Sequence, residues 1–174
     1  GNTEIGDECI IGMNSSITNS KIGNFTEVKI STIIDSAVGE NTTVGPYAYL
    51  RPNSNVGNHV KIGDFVEVKN ANIGDYSKAS HLSYIGDADV GKDVNIGCGV
   101  VFVNYDGKNK FKSTVKDGAF IGSNSNLVAP VTVADGATIG AGSTITQNIE
   151  KDELVITRVP QRHIQGWQRP VKKK

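Results

Sequence analysis

The sequence predicts an all-β fold, a left-handed parallel β-helix in which the chain winds as a triangular prism. An aliphatic residue, often followed by glycine, recurs every six residues along most of the 174-residue chain. This period fits neither the 3.6-residue helix nor the simple two-residue alternation of a strand. Glycines are numerous, at 20, and aromatic residues make up only 6%. That composition suits thin walls that turn tightly every few residues.

Composition narrows the function classes. The formal net charge is zero, so we expect no nucleic-acid partner and no anionic membrane partner. Cys9 and Cys98 are the only cysteines, which is too few for a disulfide framework and favours a reducing, cytoplasmic location. No run approaches the roughly 18 apolar residues of a membrane span, and no signal segment opens the chain.

The repeat divides the chain into two parts. Residues 1–149 are predicted to form the β-helix domain, and residues 150–174 an irregular C-terminal arm and tail with a short helix before Pro170. The final lysines read as a solvated tail. The repeat already runs at Ile5-Gly6, whereas terminal repeats are normally atypical. We therefore expect this chain to be an excised fragment of a longer protein.

Counting in sixes sets the register. Three hexapeptides make a coil of 18 residues, and coils that contain a five-residue step have 17. The step from Phe102 to Val115 takes 13 residues, so one hexapeptide carries an insertion over residues 103–114. One predicted inward column consists of Leu50, Val68, Ile85, Phe102, Leu127 and Ile145.

Two cations stack beside that column. Arg51 and Lys69 each follow one of its members, so they should lie about 4.8 Å apart on adjacent coils. Like charges at that distance repel unless an anion lies between them. The alternative is that both side chains point to solvent or pair with carboxylates such as Glu67.

A second inward column consists of Ile62, Ala79, Ile96, Ile121 and Ile139. Two positions further along each coil come Asp64, His81, Cys98, Ser123 and Ala141. Small residues in line beyond His81 leave room for an extended ligand along the prism axis, although small residues are common in such coils anyway. His81 suits a general base, since a neutral imidazole titrates near pH 7.

The other two histidines do not join His81. His59 lies in a polar hexapeptide and His163 in the C-terminal arm. Three-histidine zinc chemistry is known on hexapeptide scaffolds, but His59 and His81 do not share a column, which argues against it.

The insertion predicts a loop on the face that carries Arg51 and Lys69. Solenoids tolerate insertions as loops on one face, often the binding face. Asn104 and Tyr105 can form hydrogen bonds and Gly107 permits a tight turn, while lysines supply charge. The alternative is a merely solvated loop.

These segments together are specific enough to identify a family. They are Leu-Arg-Pro (50–52), Gly-Asp-Phe-Val-Glu-Val-Lys (63–69), Lys-Ala-Ser-His-Leu-Ser-Tyr-Ile-Gly-Asp (78–87), Asn-Ile-Gly (95–97), Asn-Tyr-Asp-Gly-Lys-Asn-Lys (104–110), Gly-Ser (122–123), Leu-Val-Ala-Pro-Val (127–131) and Arg-Val-Pro-Gln (158–161). Nearly the whole chain closely resembles the acetyltransferase domain of bacterial bifunctional UDP-N-acetylglucosamine pyrophosphorylase / glucosamine-1-phosphate N-acetyltransferase.

The resemblance implies a homotrimer with active sites between subunits. It also implies transfer of the acetyl group of acetyl-CoA to the 2-amine of glucosamine 1-phosphate, with His81 as proton acceptor. The residues implied for the sugar phosphate are Arg51, Lys69, Tyr84, Asn95 and Lys110. Those implied for acetyl-CoA are Asn104, Tyr105, Cys98, Ser123, Ala141 and Arg158.

Some positions depart from the family pattern. Cys98 is often alanine and Ser80 often glycine in such proteins, and a cysteine near a thioester raises covalent catalysis as a minor alternative. The Gly-rich opening of the uridylyltransferase domain is absent, so we expect only the acetyltransferase activity, without the magnesium of the missing domain or any other metal. The alternatives are another hexapeptide-repeat acyltransferase and a non-catalytic trimeric β-helix scaffold.

Overall fold

The computed structural model describes residues 1–172, whose regular structure is entirely β. One continuous sheet of 21 strands winds into a left-handed β-helix of about 9 turns, as predicted. The strands are β1 (Glu4–Ile5), β2 (Ile10–Ile11), β3 (Ser16–Thr18), β4 (Lys21–Ile22), β5 (Glu27–Val28), β6 (Thr32–Ile34), β7 (Ala37–Val38), β8 (Thr43–Val44), β9 (Tyr49–Leu50), β10 (Asn55–Val56), β11 (Lys61–Ile73), β12 (Lys78–Val90), β13 (Asn95–Ile96), β14 (Val101–Val103), β15 (Ser113–Val115), β16 (Phe120–Ile121), β17 (Asn126–Val128), β18 (Val131–Val133), β19 (Thr138–Ile139), β20 (Thr144–Ile145) and β21 (Leu154–Val155).

The register confirms the predicted columns. All the strand pairs are parallel, and Val68 on β11 lies opposite both Leu50 on β9 and Ile85 on β12. In the second column, Ala79 lies opposite Ile62 and Ile96. The six-residue period therefore placed each coil correctly on its neighbour, including the coils around the insertion.

The core is a shaft of stacked aliphatic side chains inside the prism. Leu50, Val68, Ile85 and Phe102 are completely buried, and Phe102 is the largest side chain in the interior. Polar residues inside the corners hydrogen-bond to the neighbouring coil; Ser77 Oγ, for example, donates to the carbonyl of Gly91 at 2.7 Å. Each coil thus buries its apolar side chains against the next, as expected for a solenoid.

The three edges of the prism turn at left-handed residues that are mostly not glycine. We call them edge 1, with Phe65 (φ 56°) and Leu82; edge 2, with Asn70 and Asp87; and edge 3, with His59. Each such residue costs about 1–2 kcal/mol, which the continuous ladder must offset. The abundance of glycine has another cause at Gly63, where a Cβ would overlap the carbonyl oxygen of Ser80 on the next coil.

The C-terminal arm differs from the prediction. The coils continue to β21, past the boundary expected at residue 149, because Leu154 and Val155 pair with β19. Beyond β21 the described chain contains no helix, so the predicted helix before Pro170 is wrong. Residues 156–172 are exposed, and an isolated short helix is marginal in water without a packing partner. Lys173 and Lys174 lie outside the described residues.

Residues 1–172 offer no helix with the length and apolar character needed to cross a membrane.

Candidate active site

Edge 1 carries the exposed line of residues that contains His81. The His81 side chain is 59% exposed, and Cys98, Ser123 and Ala141 follow it as exposed residues on successive coils. Arg158 closes the line, because its Nη1 donates to the carbonyl of Ala141 at 2.6 Å. A ligand could therefore lie along this edge between His81 and the guanidinium of Arg158.

His81 has one hydrogen-bonding partner among the described side chains. Its Nδ1 lies 2.6 Å from Oδ1 of Asp64, which is its register partner one coil earlier. The hydrogen bond from His81, followed by backbone hydrogen bonding, holds the pKa of the Asp64 carboxyl below its usual value. The sequence placed Asp64 in this column but assigned it no role.

Edge 2 gathers the three cations predicted to bind the phosphate, which are Arg51, Lys69 and Lys110. Arg51 Nη1 lies 2.8 Å from Oε1 of Glu67. Within one chain Arg51 therefore pairs with a carboxylate, which was the alternative to phosphate binding. This contact raises the pKa of Arg51. Lys69 Nζ is 3.9 Å from Oδ2 of Asp87, and the Lys69 side chain is only 20% exposed. The cations are thus partly neutralised within the chain.

Lys110 from the insertion joins this cluster. The neighbouring Lys69, through a hydrogen-bonding contact and charge repulsion, lowers the pKa of Lys110. A depression of about 380 Å³ lies among these groups. Its lining residues are Arg51, Pro52, Asn53, Lys69, Asn70, Asp87 and Lys110. Crowded cations around an open depression form a site for an anion.

Asp87 is the hub of edge 2, meaning that its carboxylate contacts Asn70, Asn104 and Lys69. The sequence analysis did not predict this role. Its carboxylate accepts from Asn70 Nδ2 at 2.6 Å and from Asn104 Nδ2 at 2.5 Å. Burial opposes ionisation, but the two amides, together with Lys69 and Lys110, outweigh it and lower the pKa of Asp87. The only sequence signal was that Asp87 shares an edge with Asn70, in register.

Asn104 also fixes the start of the insertion against Tyr84. Its Nδ2 lies 3.3 Å from the Tyr84 hydroxyl, and the Asn104 side chain is buried. Tyr84 can lie over the chain here because residue 86 is glycine, where a Cβ would overlap the tyrosine ring and hydroxyl. The backbone N–H of Phe111 donates to the carbonyl of Asn104 at 2.8 Å and closes the loop.

The last two predicted site residues lie on the wall and in the insertion, where Tyr105 forms an antiparallel bridge with Lys110. Asn95 on β13 belongs to the wall between edges 3 and 1, in register with Lys78. Tyr105 is 55% exposed in the insertion, and its hydroxyl donates to the carbonyl of Gly107 at 2.6 Å. One chain therefore assembles a cationic group at edge 2 and the His81 line at edge 1.

The remaining histidines stay separate from His81. His59 is exposed on edge 3 and stacks on Tyr76, with ring centroids 4.7 Å apart, while His163 is exposed on the arm. Within residues 1–172 no three His, Cys, Asp or Glu side chains are grouped closely enough to hold a metal ion.

Family models recognise the repeat. The model "Bacterial transferase hexapeptide (six repeats)" matches residues 35–70 and 112–147. A second model, "Hexapeptide repeat of succinyl-transferase", matches residues 3–19. Together they leave residues 71–111 unmatched, which include most of the insertion.

Curated relatives match almost the whole chain. The bifunctional protein GlmU of Clostridioides difficile (strain 630) is 72% identical over 167 residues, which is 96% of this chain and 36% of that protein. GlmU of Alkaliphilus metalliredigens (strain QYMF) is 59% identical over the same share of this chain and 37% of its own length. The chain thus spans little more than a third of the relatives it matches.

A solved structure shares the fold. It is a candidate acetyltransferase from Desulfovibrio desulfuricans G20, with 14% identity, a TM-score of 0.50, and coverage of 89% of this chain and 53% of that one. At this identity the likeness concerns the β-helix alone.

Proposed function

We propose a function from the premise that this chain belongs to the GlmU family of hexapeptide-repeat transferases. The chain transfers the acetyl group of acetyl-CoA to the 2-amine of glucosamine 1-phosphate. The 72% identity to a GlmU protein over 96% of the chain supports this premise. The product, N-acetylglucosamine 1-phosphate, serves synthesis of UDP-N-acetylglucosamine and of cell-wall precursors. The two free cysteines fit a cytoplasmic location.

The cation cluster at edge 2 is the observation that carries the proposal. Lys110 lies so close to Lys69 that the pKa of Lys110 is lowered. Arg51 borders the same depression. A sugar phosphate relieves that repulsion. Arg51 offers a planar fork to the phosphate oxygens, and the lysines offer point charges.

His81 supplies the general base. The substrate amine must be neutral to attack the thioester carbonyl, and Nε2 of His81 is the ring nitrogen that Asp64 does not occupy. As the carbon–nitrogen bond forms, the amine proton passes to Nε2 of His81. When the carbon–sulfur bond breaks, Nε2 gives this proton to the departing sulfur, so coenzyme A leaves as its thiol and His81 is neutral again. The small residues beyond His81 leave room for the donor along edge 1, and Arg158 adds a cation at the far end.

The assembly in this proposal is a homotrimer with active sites between subunits. Within one chain Asn95 lies on the wall between edges 3 and 1, away from the cations of edge 2. Neighbouring subunits that pack edge against edge bring Asn95 to a shared site, with Lys110 reaching across as the family resemblance implies.

The test is release of free thiol when the protein is incubated with acetyl-CoA and glucosamine 1-phosphate. His81→Ala should lower turnover by about 10²–10⁴-fold, the usual contribution of a positioned base, while acetyl-CoA still binds. His59→Ala, an exposed histidine on edge 3, is the matched control and should keep full activity. Absence of thiol release from the unaltered protein would instead favour a scaffold, and release only with another amine would favour a different acyltransferase.

A further inference from the structure

We propose that Asp64 is the positioning residue for His81: its carboxylate fixes the imidazole with the proton on Nδ1 and the lone pair on Nε2. This inference rests on the proposed function, since it assigns the base of that reaction its orienting partner. The two side chains come from adjacent coils, where Asp64 on β11 lies opposite His81 on β12. Their 2.6 Å contact is a short charge-assisted hydrogen bond.

The contact determines the tautomer of His81. An ionised carboxylate can only accept hydrogen bonds, so Nδ1 must carry the proton and Nε2 must be the basic nitrogen. The lowered pKa of Asp64 agrees with a carboxylate that stays ionised across the neutral range. When Nε2 takes the amine proton, the ring becomes an imidazolium ion, which the carboxylate stabilises without itself taking a proton.

Neither neighbour of this pair in the column could replace Asp64. The His81 ring is 59% exposed, so packing alone does not hold it. In the same column, Pro46 lies one coil below Asp64 and Cys98 one coil above His81. Proline has no side-chain hydrogen-bonding group, and a thiol is only a weak one. The tautomer therefore depends on Asp64 alone among its column neighbours.

The backbone holds Asp64 in place. Gly63 lets this coil approach the carbonyl of Ser80 more closely than a Cβ would allow, and Phe65 turns the chain with φ 56°. Asp64 is thus set between a close coil contact and a left-handed corner. Its side chain needs little reorganisation to hold the imidazole, as expected of a preorganised pair.

The experiment compares Asp64→Ala and Asp64→Asn with a matched control, Asp117→Asn. Asp117 is an acidic residue on edge 3 whose carboxylate accepts from the backbone N–H of Lys92 at 2.8 Å. Both Asp64 variants should lower kcat by roughly 10- to 100-fold, the effect of a misplaced catalytic group, with the KM of both substrates within about threefold of the unaltered protein. The control should leave both parameters unchanged.

A spectroscopic readout separates this inference from the proposed function. Nitrogen-15 NMR of the free protein above neutral pH reports which ring nitrogen is protonated, and the His81 signals are those lost in His81→Ala. The unaltered protein should show the Nδ1–H form and Asp64→Ala a mixture of both forms. Equal tautomer populations in the two proteins, or an unchanged kcat in both variants, would overturn the role of Asp64. Because the NMR measurement needs no substrate, it judges Asp64 even if no thiol release is found.

Discussion

Replacing Arg51 with alanine removes two contacts of different energy, the ion pair with Glu67 and the proposed contact with the substrate phosphate. In the free protein Arg51 pairs with Glu67 at 2.8 Å, and both side chains are more than a third exposed. Exposed pairs of this kind contribute about 0–1 kcal/mol to stability. The melting temperature should therefore change little.

The effect on the substrate should be much larger. A charge-assisted hydrogen bond to phosphate contributes roughly 1.5–3 kcal/mol, which corresponds to about 10- to 150-fold in kcat/KM. The loss should appear with glucosamine 1-phosphate but hardly at all with unphosphorylated glucosamine, a poor substrate from the outset. Steady-state thiol release with each sugar measures both values.

Two further variants sharpen this experiment. Arg51→Ala also leaves the carboxylate of Glu67 without its partner and facing the phosphate, so the double variant with Glu67→Gln should recover part of the loss. Lys21→Ala removes another exposed ion pair, with Glu4, in the first coils, and should leave kcat/KM unchanged. Equal losses for the phosphorylated and unphosphorylated sugars would refute the assignment of Arg51 to the phosphate.

The hub at Asp87 and the shared site give two more predictions. The pKa of Asp87 lies below its ordinary 3.8, so its contribution to stability is complete above about pH 3.8 and is lost as the pH falls through the lower folded value. Asp87→Asn should then lower the free energy of unfolding by about 1–3 kcal/mol at neutral pH, and this difference from the unaltered protein should shrink in acid. The control is Asp35→Asn, at an exposed residue on the same edge. A difference in unfolding free energy that does not change with pH would contradict the reasoning. For the shared site, mixing His81→Ala chains with Lys110→Ala chains under subunit exchange should give activity above either parent. If mass spectrometry verifies exchange and no activity returns, Lys110 serves its own chain.

The stacking of the coils could be predicted from the sequence because register follows directly from counting. Once the six-residue period is recognised, the placement of Asp64 under His81 depends only on how many residues separate them. The same counting put Lys69 next to Arg51. A helical or globular fold offers no comparable rule, since its long-range contacts depend on packing angles as well as spacing.

Contacts that leave the repeat could not be predicted in this way. Asp87 became a buried hub because the insertion folds Asn104 back over it, and residues 103–114 carry no periodic pattern to indicate that path. Likewise, the glycine count suggested glycine at the turns, whereas Phe65 and Leu82 take the left-handed corners. Glycine is needed instead where neighbouring coils approach closely, as at Gly63.

Because neighbouring coils lie one strand spacing apart, the number of coils between two residues sets the distance between them along the prism axis. A whole coil duplicated below Arg51 would lengthen the prism and leave every site residue at its old separation. The same coil duplicated between Arg51 and Lys69 would move those cations apart by about 4.8 Å, beyond the reach of one phosphate. Length is thus adjustable outside the coils that hold the site and fixed within them, so this architecture can vary in size during evolution while its chemistry stays constant.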